Sequence, residues 1–324
     1  MRRTPILLAI LALASGLLWL AIRTPVPPET PGGFSTRRAL QDVAVIARTP
    51  HVLGSPANLA VRTYLQRRLG SLGVQTSVQT ADVWEREALE PPFVSMGQVH
   101  NIVGVLPGRR PDLPALVMMA HYDSVAGSAG AGDDATGVAC LLDVVRLIGE
   151  RGFPERDVVI VLTEGEEEGM LGARAFFRLH PLARRAGFVL NLDTRGSSGR
   201  TMMYEMGPDP GGSLDLYHRA VTSPRAFSIF PFIYRQLPYG TDFTLARRTG
   251  LQGLNLGFVG AEFTYHTPAA TPARLDPGAV ADMGRQAAAI ARAVAFSPTL
   301  PHAGPEPVYG DSLGLVLIVY PPWA

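Results

Sequence analysis

"ALVMMAHYDSVAGSAGAGDDATGVACLLDVVRLIGERGFPERDVVIVLTEGEEEG", residues 115–169, is the stretch that decides the fold. It opens on an apolar run, Ala115 to Ala120, and passes through a loop rich in Gly and Asp. Apolar residues at helical spacing follow from Thr136 to Glu150, and a second apolar run covers Asp157 to Thr163. Short continuous apolar runs joined by an amphipathic helix read as strand, helix, strand, with both strand faces covered. The pattern continues downstream. "DVVIVLT" leads to the helix "LGARAFFRLH", "GFVLNL" to an irregular stretch, and "LQGLNLGFVG" to the long final helix "PGAVADMGRQAAAIARAVAF". The expected fold is α/β, with a mixed, mainly parallel central sheet and helices on both faces.

Upstream, "TRRALQDVAVIAR" and "NLAVRTYLQRRLGSLG" carry helical spacing, "VQTSVQTADVW" alternates as an exposed strand, and "VHNIVGVLPG" reads as a strand ending in a turn. Residues 196–248, rich in Gly, Pro and aromatics, are expected to be loops and short helices that wall a site. The final apolar run, Leu313 to Tyr320, is too short to span a bilayer. It reads as a last strand or as the lead-in to a further membrane region.

The 324 residues are 47% hydrophobic and 18% charged, a composition that fits a sizeable core. The net charge of +1 and the scattered arginines give no footprint for nucleic acid. The single cysteine, Cys140, has no internal partner for a disulfide and sits in an apolar helical run, as a core residue would.

At the N-terminus, Arg2 and Arg3 precede an uncharged, mostly apolar run from Pro5 to Ile22. As a helix such a run approaches the ~30 Å of a bilayer core, and the arginine pair places the chain start in the cytoplasm. The rival is a cleaved signal peptide with "ALA" at 12–14, which would make the protein secreted. The apolar run continues past that point through Leu17, Leu18, Trp19 and Leu20, so an uncleaved anchor is expected. The organisation is then an anchor and stiff Pro-rich linker over 1–33 and a folded domain over 34–324, on the extracytoplasmic side.

Ligands of doubly wound sheets bind at the carboxyl ends of the strands. After "ALVMMA" come His121 and Asp123. After "DVVIVLT" come Glu166, Glu167 and Glu168. After "GFVLNL" comes Asp193, and after "LQGLNLGFVG" comes His266. The loop entering the first crossover helix holds Asp133 and Asp134. Carboxylates crowded at one sheet edge repel by several kcal/mol at an effective dielectric near ~20. Bound cations remove that cost. His121, Asp133, Glu167, Asp193 and His266 make five ligands, a number that suits two metals sharing one carboxylate. Mixed imidazole and carboxylate ligation suits zinc, with manganese or cobalt as substitutes. Glu166, beside Glu167, is placed to act as a general base. Asp123 is placed to accept the second imidazole N–H of His121.

These pieces, "HYDS", "GAGDDATGVA", "EGEEEGMLGA", "NLDTRG" and "YHTP", resemble in order and spacing the co-catalytic two-zinc exopeptidases. That family includes secreted bacterial aminopeptidases, glutamate carboxypeptidases and the endoplasmic reticulum metallopeptidase. "TPHVLGSPAN" and "NIVGVLPG" extend the likeness over nearly all of the chain after the anchor. The resemblance implies a three-layer sandwich of the phosphorylase/hydrolase-like type. It makes His121 and Asp193 terminal ligands of one zinc, Glu167 and His266 ligands of the other, and Asp133 the bridge. It makes Glu166 the general base for a water activated by two zincs, Asp123 the residue behind His121, and Tyr265 a hydroxyl that steadies the oxyanion. Glu168 reads as solvated and Asp134 as a helix cap. His51, His100, His180, His218 and His302 match no ligand position, and Asp242 in "GTDFT" takes no metal role. The implied activity is removal of N-terminal residues from peptides. A carboxypeptidase or dipeptidase would need a basic pocket, for which Arg195 and Arg235 are candidates. A glutaminyl cyclase with one zinc and a receptor-like domain without activity are the alternatives on this fold.

Overall fold

In the computed structural model, residues 3–86 and 94–321 are described. Arg2, one of the charged pair before the apolar run, and residues 322–324 of the tail fall outside them. The helices are α1 (Arg3–Ile22), α2 (Thr36–Ile46), α3 (Pro56–Ser71), α4 (Ala135–Arg151), α5 (Leu171–Leu179), α6 (Gly211–Ala220), α7 (Ile229–Tyr234), α8 (Asp242–Arg248) and α9 (Pro277–Ala295). The strands are β1 (Gln75–Arg86), β2 (Val94–Leu106), β3 (Ala115–His121), β4 (Val158–Thr163), β5 (Ala186–Leu192), β6 (Met202–Met206), β7 (Gln252–Gly257), β8 (Val308–Ser312) and β9 (Val316–Tyr320). Seven strands form one sheet in the order β1-β2-β4-β3-β5-β7-β6. β4, β3, β5 and β7 pair in parallel, while β2 and β6 run against them.

Every residue of β3 and β4 is buried, because the sheet is covered on both sides. Alternate residues divide between two cores. Leu116, Met118, Ile160 and Leu162 pack with α2, α4 and α9 on one face. Val117, Met119, Val159 and Val161 pack with Phe176 of α5 and Phe243 of α8 on the other. Each such side chain contributes about 1.5–3 kcal/mol by leaving water, so the layers hold without covalent links. Cys140 is free and buried within the first core.

Local signals set the helix starts. Ser55 caps α3 by accepting from the Asn58 N–H at 3.1 Å, with Pro56 in the first turn. Asp276 caps α9 in the same way, through the Gly278 N–H at 2.8 Å. Arg156 is fully buried and donates to the carbonyls of Val294, Pro114 and Ser297, which pins the end of α9 to the start of β3.

One expectation needs correction. Residues 196–248 hold a sheet strand as well as loops and short helices: β6 pairs antiparallel with β7. The neighbouring Gly and Pro signals masked a strand of only five residues. The terminal apolar run is β9, paired with β8 in a separate two-stranded sheet. At the other end the apolar side chains of α1 from Ile6 to Trp19 are exposed, Leu8 and Leu18 at 61% and 62%. Among the described residues no helix is long and apolar enough to cross a membrane. The linker is docked rather than free. The Thr24 hydroxyl hydrogen-bonds Asp276, and Arg146 of α4 holds the Gly33 carbonyl at 3.0 Å.

Candidate metal centre

Four of the five expected ligands lie at or beyond the carboxyl ends of strands. His121 ends β3, Glu167 lies in the turn after β4, Asp193 follows β5, and His266 lies in the loop after β7. Asp133 comes from the loop that leads into α4. Backbone-to-backbone approach draws these loops together. A Cβ on Gly132 would lie 1.8 Å from the Gly196 carbonyl oxygen, and one on Gly257 would lie 1.9 Å from that of Asp193. Only glycine permits either contact, and each sits beside a ligand or carries one.

Asp133 is the hub. Its Oδ1 lies 3.0 Å from His121 Nε2, and its Oδ2 lies 3.1 Å from His266 Nε2. His266 Nε2 also meets Glu167 Oε2 at 2.9 Å. Two triads result, His121–Asp133–Asp193 and Asp133–Glu167–His266, each with ligand atoms within 4.8 Å of one another. All five expected residues are therefore brought together. His51, His100, His180, His218 and His302 belong to neither triad. His100 instead pairs with the buried Glu164 at 3.0 Å, and His51 is held by the Thr49 carbonyl at 2.9 Å.

The electrostatics of the site are unbalanced. Burial pushes the Asp193 and Glu166 carboxyls well above their ordinary range, and nearby carboxylates add to it. Burial and Asp133 raise Glu167 to about 7. Burial opposes the ionised form of Asp133, yet hydrogen bonds from His121 and His266 hold it at about 2. Burial likewise opposes the charged form of His266, but Asp133 and Glu167 lift it to about 9. Two like charges about 5 Å apart cost roughly 3–4 kcal/mol at an effective dielectric near 20. Two imidazoles and three carboxylates at this spacing fit divalent metal, which removes that repulsion.

The supporting residues are specific. His121 Nδ1 faces the Asp123 carbonyl at 3.1 Å and the Asp123 carboxylate at 3.6 Å. The same carboxylate accepts from the backbone N–H groups of Glu166 and Glu167, at 3.2 and 3.3 Å. One buried aspartate thus orients both a ligand imidazole and the turn that carries the glutamate pair, and the second duty left no mark in the sequence. Asp134 caps α4 through the Gly137 N–H at 3.1 Å, as expected of it. Glu168 is exposed, also as expected. His266 takes a left-handed φ of 57°, uncommon outside glycine, and its ring stacks on Tyr265 at 3.7 Å. Asp242 is buried below the site and accepts from the Thr163 hydroxyl.

A cavity of about 490 Å³ opens over the triads. Asp133, Glu166, Glu167 and Asp193 line one side, while Phe230, Ile233, Tyr234 and Leu237 line another. Tyr204 of β6 also lines it and reaches the Asp193 carbonyl at 3.4 Å. No local sequence pattern marks that tyrosine, because its strand is only five residues long. Of the two candidate arginines, Arg195 lines the cavity, whereas Arg235 pairs with Glu306 at 3.5 Å.

The sheet with parallel inner strands carries two candidate metal-binding triads at its carboxyl edge, an arrangement that fits a metal-dependent hydrolase. Residues 101–291 match the model of peptidase family M28, and the chain belongs to that family, a family of metallopeptidases. It is 35% identical over 231 residues to a vacuolar membrane protease of Candida dubliniensis, covering 70% of this chain and 24% of that one. The chain spans about a quarter of the length of the curated relatives it matches. Its structure is similar to that of a zinc aminopeptidase from Bacillus subtilis, with a TM-score of 0.65 and 14% identity over 86% of this chain and 99% of the other. It is also similar to Porphyromonas gingivalis glutaminyl cyclase, with a TM-score of 0.61 and 19% identity over 78% and 96%.

Proposed function

We propose that the protein is a two-zinc aminopeptidase that hydrolyses the N-terminal residue from peptides. The observation that carries this reading is Asp133, whose two oxygens each face a different imidazole at 3.0 and 3.1 Å. A carboxylate so placed, with an imidazole at each oxygen, would suit being shared by two ions. His121 and Asp193 would hold one zinc, and Glu167 and His266 the other. Zinc bound there supplies Lewis-acid polarisation of the scissile carbonyl and a more acidic water.

The chain's own groups do the rest. Glu166, half-buried and facing the cavity, accepts the proton of the attacking water and delivers it to the leaving amine. Asp123 keeps the His121 imidazole and the Glu166–Glu167 backbone in register. The Tyr265 hydroxyl, on a ring fixed against His266, steadies the carbonyl oxygen as it gains charge. The acidic wall attracts a free amine, and the wall of Phe230, Ile233 and Leu237 accepts an apolar side chain.

The exposed apolar side chains of α1 and the membrane protease among the relatives support attachment to a membrane, and the arginine pair at residues 2 and 3 favours a catalytic domain on the extracytoplasmic side. Cleavage of that segment would instead release a secreted enzyme. Turnover of aminoacyl anilides by zinc-supplied protein, with two zinc ions per chain, tests the reading. One ion per chain together with cyclisation of N-terminal glutamine would replace it with the cyclase.

A further inference from the structure

Arg195 is the only cationic side chain among the described residues lining the cavity. It lies two residues after the ligand Asp193 and is partly buried. Its guanidinium carbon sits 4.6 Å from the ring centre of Tyr239 and 4.7 Å from that of Tyr265. Nη1 donates to the Tyr239 hydroxyl at 3.0 Å. Its backbone N–H is tied to the Phe258 carbonyl at 2.9 Å. The groups that act on it are tyrosines, and no acidic side chain pairs with it among the described residues. The other arginines near this end are satisfied: Arg235 meets Glu306, and Arg200 donates to the Leu313 and Gly314 carbonyls.

A guanidinium held against two aromatic faces keeps a fixed plane, and its edge carries donors in the fork geometry that matches a carboxylate. Arg195 uses one of those donors on Tyr239. It faces the same space as Asp133, Glu166, Glu167 and Asp193. A ligand with one cationic and one anionic end would therefore bind in one direction, the amine towards the carboxylates and the anion towards Arg195. The span is short. Tyr265 lies 4.7 Å from the guanidinium, and its ring is 3.7 Å from that of His266. An extended residue covers about 3.3–3.6 Å, so the anion belongs one or two residues past the bond that is cut.

We propose that Arg195 receives a substrate carboxylate, and that the preferred substrates are di- and tripeptides with a free C-terminus. An acidic side chain just past the cut bond offers the same chemistry. This inference rests on the peptidase reading above.

The test uses the zinc-supplied full chain in detergent and five substrates: Leu-Ala, Leu-Ala amide, Leu-Asp amide, Leu-Asn amide and leucine anilide. Leu-Ala should exceed its amide in kcat/KM by roughly 10–100-fold, mainly through KM, the range expected of a charge-assisted pair. In Arg195→Ala the ratio should fall towards one, and Arg195→Lys should keep part of it. Arg235→Ala should leave the ratio in place. If Leu-Asp amide exceeds Leu-Asn amide and Arg195→Ala removes that difference, the docked carboxylate comes from the side chain. Equal rates for Leu-Ala and its amide, with no difference between the Asp and Asn amides, would overturn the assignment while leaving the peptidase intact. So would an equal loss on acid and amide in Arg195→Ala, which would mean that the arginine only braces Tyr239 and Tyr265. Should Arg195→Ala fail to fold by circular dichroism, Arg195→Lys decides alone. A protein inactive on all five substrates loses the peptidase reading, and this inference falls with it.

Discussion

At the scale of single residues, the proposed site divides metal binding and proton transfer between neighbouring side chains. Glu166 and Glu167 are neighbours in sequence, yet only Glu167 enters a ligand triad. Glu166→Gln should lower kcat by roughly 10²–10⁴ while zinc content, read by atomic emission, stays near that of the wild type. Asp133→Ala should lose zinc as well as turnover, because both triads share it. Near-normal turnover by Glu166→Gln would remove the proposed base. Asp123→Asn should weaken metal affinity about 10–100-fold, the usual cost of losing the partner behind a ligand histidine, as measured by competition with a chromophoric chelator. All five ligand candidates were legible in the sequence because each follows a strand or enters a helix. Arg195 was legible only as one of two arginines. Its separation from Arg235 depends on a contact with Glu306, distant in sequence, that no local pattern reveals.

At the scale of elements, the parallel strands β3, β4, β5 and β7 were readable because burial on both faces leaves continuous apolar runs. β6 was not. Its five residues, "MMYEM", include Glu205, buried against Arg247 at 3.0 Å, so its polarity hides its burial. The hairpin of β8 and β9 was only half readable, since a strand's partner is not written in the strand itself. The loops between elements carry a sharper constraint. Gly132 has no room for a Cβ, because the Gly196 carbonyl occupies that place at 1.8 Å. Gly132→Ala must push apart the loops bearing Asp133 and Asp193. A cost of about 1–3 kcal/mol, typical of overpacking, should appear in urea titration, together with reduced zinc content. Unchanged zinc binding in this variant would show that the two loops reach their places independently.

At the scale of the whole molecule, two attachments are at stake. Deleting residues 1–22 should release the protein from membranes under alkaline carbonate washing, if α1 is what holds it there; continued sedimentation with the membrane would move the attachment elsewhere. The second attachment is internal. The five ligand candidates come from five separate segments: the ends of β3 and β5, the turn after β4, the loop after β7 and the loop before α4. Metal bound to all of them acts as a cross-link formed only in the folded state. At a free zinc concentration of about 100–1,000 times Kd, such binding stabilises by roughly 2.7–4.1 kcal/mol. Its removal also restores the repulsion that adds to burial in lifting Glu167 to about 7 and in raising Asp193. A strong chelator should therefore lower the melting temperature by about 5–15 °C, given roughly 2–4 °C per kcal/mol for domains approaching this size, and added zinc should restore it. The same treatment of Asp133→Ala should change little, since that variant has no shared ligand to lose. A wild-type melting curve indifferent to both chelator and zinc would mean that these carboxylates are held by protein contacts alone, and the repulsion argument for the centre would fail.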